Sequence, residues 1–248
     1  MPGCYPASKL LPVNRRAISA VRFLIAALFV LTSAAGCGIA RAAGPHTITL
    51  TLVRHAESQG NASGLIDTSV PGPDLTPKGW CQATTEAGQL SANHYDGVYA
   101  SNMVRTQETA TPTAQALSET VDVLPGLREI EAGQYEGQPE ANARALFAAP
   151  MQWLQGDRSA RIPGSIDGNE FESRFNDAVQ HIYDTGEVNP VAFSHAAAIM
   201  VWVLMNVHNP DQSLLTNKPL PNVGHVVVRG SPTDGWTLTE WEADPPPC

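Results

Sequence analysis

Two apolar stretches, each closed by a histidine, restrict the folds open to this chain more than any other feature. The first is Leu50-Thr51-Leu52-Val53, running into Arg54-His55; the second is Val191-Ala192-Phe193-Ser194, running into His195. Both read as buried core strands. Helical segments lie between them, and strands alternating with helices build a three-layer α/β/α sandwich around a mostly parallel sheet. Open sheets of this kind hold ligands beyond the carboxyl ends of their strands. Arg54-His55, Ser101 with Arg105, and Ser194-His195 all fall at such ends.

The other elements follow from punctuation and periodicity. After the Gly44-Pro45 break, Thr47 to Val53 reads as the first strand, and 58–75, rich in Gly, Ser, Pro and Asp, as a loop. Thr76-Pro77 is an N-cap followed by proline at the first helical position, so a helix runs from there to Leu90. Residues 96–101 form a short strand, Val104 to Leu117 a helix strained by Pro112, and Val121 to Val123 a small strand. Gln138 to Trp153, Glu170 to Tyr183 and Ala196 to Val207 are expected helices. Val226 to Val228 and Trp236 to Trp241 are expected to pair as an antiparallel hairpin.

Charge is divided along the chain. Five of the fifteen basic residues (Lys9, Arg15, Arg16, Arg22, Arg41) lie in residues 1–43, and the first carboxylate is Glu57. Ten basic residues then face twenty-four acidic ones. Such a surface repels nucleic acid and anionic membrane, so neither is an expected partner. The basic start precedes a short apolar core at residues 23–31, too short to span a bilayer and of the length of a signal peptide's core. Residues 1–43 are therefore expected to be an export leader and 44–248 the folded domain. Two exits compete. Ala34-Ala35-Gly36-Cys37 would lipidate Cys37 and tether a cell-envelope lipoprotein; Ala40-Arg41-Ala42 would release a secreted or periplasmic protein. Export would allow Cys81 and Cys248 to pair, although two free thiols fit the sequence equally well. No Cys/His cluster has zinc spacing, and neither a metal nor a cofactor is expected.

A histidine at a strand end, taken alone, is more often structural than catalytic. Five segments in order change that weighting: Arg54-His55-Ala56-Glu57-Ser58 with Asn61; Leu75-Thr76-Pro77-Lys78-Gly79 with Gln82-Ala83; Ser101 to Arg105-Thr106 with Thr109-Ala110; Leu127-Arg128-Glu129 with Gly133 and Tyr135-Glu136-Gly137; and Phe193-Ser194-His195-Ala196. Together they resemble the histidine phosphatase superfamily, branch 1, the phosphoglycerate-mutase-like proteins, including its exported lipoprotein members. The resemblance implies a phosphoric monoester hydrolase acting on a small phosphorylated substrate. His55 would be the nucleophile that forms a phosphohistidine, with its other ring nitrogen bonded to a backbone carbonyl. Glu129 would be the general acid, with Glu131 as a competitor two residues away. Arg54, Arg105, Asn61 and His195 would bind the phosphate. Ser58 and Ser101 have capping or turn roles as ready alternatives, and His46, His94, His181, His208 and His225 have no supporting context.

Three departures accompany the resemblance. Ala56 and Ala196 replace glycines that follow the two histidines, at a cost if either backbone needs positive φ. Residues 59–74 lack the aromatic-rich segment of true mutases, and residues 138–169 lack paired phosphoglycerate-binding arginines. Arg158 and Arg161 could grip a substrate carboxylate or second phosphate, or belong to a solvated loop. A phosphoglycerate-mutase-type transferase and a catalytically weak phosphate-ligand-binding envelope protein are the alternatives to a phosphatase.

Overall fold

A computed structural model describes residues 46–245 and 247–248. The leader, with both exits and the boundary at residue 43, lies outside the described residues. The chain enters through β1 (Ile48–Arg54), then passes through α1 (Gln59–Ser63), α2 (Pro77–Leu90), β2 (Gly97–Ala100), α3 (Val104–Leu117) and β3 (Val121–Val123). After a crossing loop come α4 (Ala143–Leu146), α5 (Ala148–Leu154), α6 (Gly168–Asp184), β4 (Pro190–Ser194), α7 (Ala196–Asn206) and α8 (Leu214–Asn217). The hairpin β5 (His225–Ser231) and β6 (Gly235–Glu242) ends the fold.

The six strands lie in the order β3-β2-β4-β1-β5-β6. β1, β2, β3 and β4 pair in parallel, and β5 runs antiparallel to both β1 and β6. Alternation along the strands distributes their side chains to two cores. Ile48, Leu50 and Leu52 of β1, Tyr99 of β2 and Ala192 of β4 join Phe171, Phe175 and Trp202 beneath α6 and α7. Val53, Val98, Ala100, Val191 and Phe193 point the other way and pack with Leu90, Ala110 and Ala114 of α2 and α3. Both faces of the sheet are thereby covered, which is why its central strands are almost wholly apolar.

Local chemistry accounts for the elements. Thr76 caps α2 by accepting from the Gly79 amide, with Pro77 next. Asp167 and Glu170 form a capping box that starts α6 two residues before the expected position. The 58–75 segment is not all loop, because Ser58 and Asn61 cap each other and nucleate α1. The single helix expected over 138–153 is instead a 3₁₀ turn, α4 and α5. Pro150 lacks the N–H that would bond the Leu146 carbonyl, so the ladder breaks between the two short helices. Cys81 at α2 and Cys248 are joined in a disulfide, with Cα atoms 5.9 Å apart.

Candidate active site

Strand register brings the two histidines together. β1 and β4 are parallel neighbours in which Arg54 lies opposite Ser194, so the next residues of each strand meet. The His55 amide donates to the Ser194 carbonyl at 3.0 Å, and the rings are 5.1 Å apart, edge to face. The sheet order reverses here, since β4 inserts between β1 and β2, and ligand crevices form at such points.

The tautomer of His55 follows from its partners. Nδ1 lies 2.7 Å from the Ala56 carbonyl, which can only accept, so Nδ1 carries the proton. Nε2 therefore keeps its lone pair and accepts from Arg105 Nε at 3.1 Å. Burial, reinforced by the charges of Arg105 and Arg54, holds the His55 pKa well below the ordinary histidine value. The shift favours the neutral, nucleophilic ring. His195 is wholly buried and shifted the same way, again chiefly by burial. Its Nε2 bonds Ser101 Oγ at 2.9 Å, which gives Ser101 a contact beyond a turn role, while Nδ1 has no protein partner.

The two arginines show the same incompleteness. Arg54 donates from Nη1 to the Leu220 carbonyl at 2.8 Å, and Arg105 from Nη2 to the Asp67 carbonyl at 3.1 Å. Arg54 Nε and Arg105 Nη1 are buried and unpartnered. A buried donor left unsatisfied costs about 1–3 kcal/mol. Arg54 and Arg105 line the cavity beside a neutral His55 and keep unpaired guanidinium N–H groups, which makes a site for a compact anion.

Glu129 reaches this site from the loop after β3. Its Oε1 accepts from Ala198 N at 2.8 Å and Ile130 N at 2.9 Å, and Oε2 from Ala197 N at 3.3 Å. Burial raises its pKa despite these amide donors, two of them at the start of α7. Oε2, with a single long bond, is the oxygen better placed to hold a proton. Glu131 is engaged elsewhere, paired with Arg128 and Arg174. Asn61 uses its side-chain oxygen to close the α1 cap, and Ser58 is that cap. Arg54, His55, Asn61, Arg105 and Glu129 all line one cavity of about 270 Å³; His195 sits behind His55. Arg158 and Arg161 do not join them. Their guanidinium groups are bound by Glu172, and by Asp167 and Glu170, and neither lines the cavity. Neither Ala56 nor Ala196 has positive φ; Ala56 is buried against Leu75, Ala83 and Val223, and the lost glycines carry no backbone cost.

Arg174 and Asn222 escaped the sequence reading, and Glu57 was seen only as part of a motif. Arg174 of α6 donates to the carbonyls of Gly126, Arg128 and Glu129, each at 2.8 Å, clamping the loop that presents Glu129. Asn222 donates to the His55 carbonyl at 2.9 Å and to Asn61 Oδ1 at 3.2 Å. Glu57 binds Lys78 at 2.7 Å and Thr76 at 2.9 Å, tying α2 to the nucleophile segment. Gly79 is needed there because a Cβ would collide with the Glu57 carbonyl. The roles of all three come from contacts distant in sequence, which no local pattern reveals.

The histidine phosphatase superfamily (branch 1) profile matches residues 50–244. The chain belongs to this family. It is 43% identical over 216 residues to the PE-PGRS family protein PE_PGRS11 of Mycobacterium tuberculosis, a match covering 80% of this chain but only 37% of that protein. It is 38% identical over 134 residues to phosphoserine phosphatase 1 of Hydrogenobacter thermophilus, covering 52% of this chain and 60% of that one. A mycobacterial glucosyl-3-phosphoglycerate phosphatase complexed with VO3 has the same fold, at a TM-score of 0.65 and 19% identity, covering 79% of this chain and all of that one. Among the described residues, no group of three or more His, Cys, Asp or Glu could hold a metal ion.

Proposed function

We propose that this chain is a phosphatase that hydrolyses phosphate monoesters through a phosphohistidine on His55. The observation that carries the reading is the cavity in which Arg54, Arg105 and Glu129 surround a neutral His55, with guanidinium N–H groups of both arginines unpaired. A phosphoryl group there would meet the guanidinium donors of both arginines in a site of low dielectric. His55 Nε2 would leave its bond to Arg105 and attack phosphorus in line. As the P–N bond forms the ester P–O bond breaks, and Glu129 gives its proton to the departing oxygen. Water then attacks the phosphohistidine, losing a proton to the Glu129 carboxylate. The P–N bond breaks, and inorganic phosphate leaves with His55 neutral again.

Release of p-nitrophenol from p-nitrophenyl phosphate in EDTA, with trapping of labelled phosphate on the protein, tests this. Turnover that resists chelation, with acid-labile label lost in His55→Ala, is the expected result. A folded protein that binds phosphate but takes up no label would instead be an envelope binding protein. Export is part of the proposal, supported by the basic and apolar order of residues 1–31 and the small residues that follow. Cell fractionation of the full chain beside Cys37→Ser tests it: a membrane fraction emptied by the substitution indicates the tether, and an unchanged soluble exported fraction indicates cleavage near Ala42.

A further inference from the structure

The cavity is two-sided, and only its inner end suits an anion. Arg54 and Arg105 are the only lysine or arginine residues lining it among the described residues. Much of the remaining wall is apolar, with Leu65 and Ile66 from the loop after α1, Ile130, and Leu146, Phe147 and Pro150 where α4 gives way to α5, beside the polar Ser58, Asn61 and Thr68. Ile66, Ile130 and Pro150 are buried, while Leu65 remains 42% exposed, as an apolar rim to the opening. Besides the two arginines and Glu129, the charged residues lining the cavity are Asp67 and Glu140, both acidic. Arg158 and Arg161, the other candidates for holding a carboxylate, are committed to ion pairs elsewhere.

We infer that the substrate is a phosphate monoester of a hydrophobic alcohol bearing no negative charge, an alkyl or aryl phosphate in chemical class. The inference rests on the phosphatase reading above. The inner donors take the phosphoryl group and the apolar wall takes the alcohol's hydrocarbon. A carboxylate on the leaving group, as in a phosphorylated hydroxy acid or amino acid, would share with Asp67 and Glu140 a cavity lined by no cation beyond the phosphate-binding Arg54 and Arg105. The same arrangement disfavours a mutase reaction on an acidic substrate, which must hold a second anionic group in the same cavity.

Esters with matched leaving groups test this. Specificity constants kcat/KM are measured for n-propyl, n-butyl and n-pentyl phosphate and for 5-phosphonooxypentanoate, which differs from pentyl phosphate only in its terminal carboxylate. Each methylene that the wall buries is expected to raise kcat/KM by about fourfold, and pentyl phosphate is expected to exceed the pentanoate by at least about tenfold. Phe147→Ala should flatten the chain-length series, and Glu140→Gln should narrow the gap between the matched pair. A flat series, or a pentanoate hydrolysed as fast as pentyl phosphate, overturns the inference while p-nitrophenyl phosphate turnover and the His55 label leave the phosphatase reading intact. Absence of both turnover and label fails that reading, and the substrate class falls with it.

Discussion

Glu129→Gln is the most informative single change in this protein. Glutamine has nearly the same shape, and its carbonyl oxygen can keep the bonds from Ala198 N and Ile130 N at 2.8 and 2.9 Å. Only the long contact from Ala197 N at 3.3 Å is lost, because two N–H groups cannot pair. Alanine would be the wrong variant, leaving all three amides facing a void at about 1–3 kcal/mol apiece. What glutamine removes is the transferable proton. General acid catalysis contributes about 10²–10⁴ in rate, or roughly 3–5 kcal/mol of barrier. That loss is expected with n-pentyl phosphate, whose alkoxide cannot depart unprotonated, whereas p-nitrophenyl phosphate, with a stabilised leaving anion, should lose about tenfold or less. The pH profile supplies a second readout. The raised pKa of Glu129 keeps it protonated above the usual carboxylate range, so alkyl phosphate turnover in the wild type should fall as pH rises through that value. This limb should vanish in the variant. Equal losses on both substrates would refute the acid role and make Glu129 a positioning residue; no loss on either would leave its carboxyl without any chemical part.

Three further outcomes are expected. The folded-state pKa values of His55 and His195 lie below the ordinary value, so the unfolded chain binds protons first as pH falls below about 6.5. Their stabilising effect is complete above that pH and is lost on acidification, by up to about 1.4 kcal/mol per pH unit for each ring; a Tm unchanged between pH 7.5 and 5.5 would contradict this. Asn222→Ala frees the His55 carbonyl and Asn61 and should lower kcat more than it raises KM, with p-nitrophenyl phosphate as substrate; an effect confined to Tm would show a merely structural role. The Cys81–Cys248 bond closes 167 residues, for which chain entropy sets a ceiling of about 5 kcal/mol; Cys248→Ser should therefore lower the urea midpoint, and a midpoint insensitive to the substitution would show that the bond does not stabilise the fold.

The arithmetic of strands and helices was legible along the chain because it depends on near neighbours. The Thr76-Pro77 helix start, the two histidine-ended strands and the final hairpin all rest on residues a few positions apart. The order of the five motif segments was likewise enough to name the family and the candidate residues Arg54, His55, Asn61, Arg105, Glu129 and His195. Where local signals conflicted the reading erred: an apparently continuous helix over 138–153 was broken by the missing Pro150 amide, and a turn-rich segment hid the α1 cap. Tertiary structure alone decided that β1 and β4 lie side by side in a register that makes His55 and His195 neighbours. It alone gave Glu129 to the site and Glu131 to Arg128 and Arg174, and Arg158 and Arg161 to surface ion pairs. The physical reason is common to all of these. A side chain's type sets what it can donate or accept, but burial and partners set which of those groups remain unpaired, and they are fixed by the packing of the whole fold.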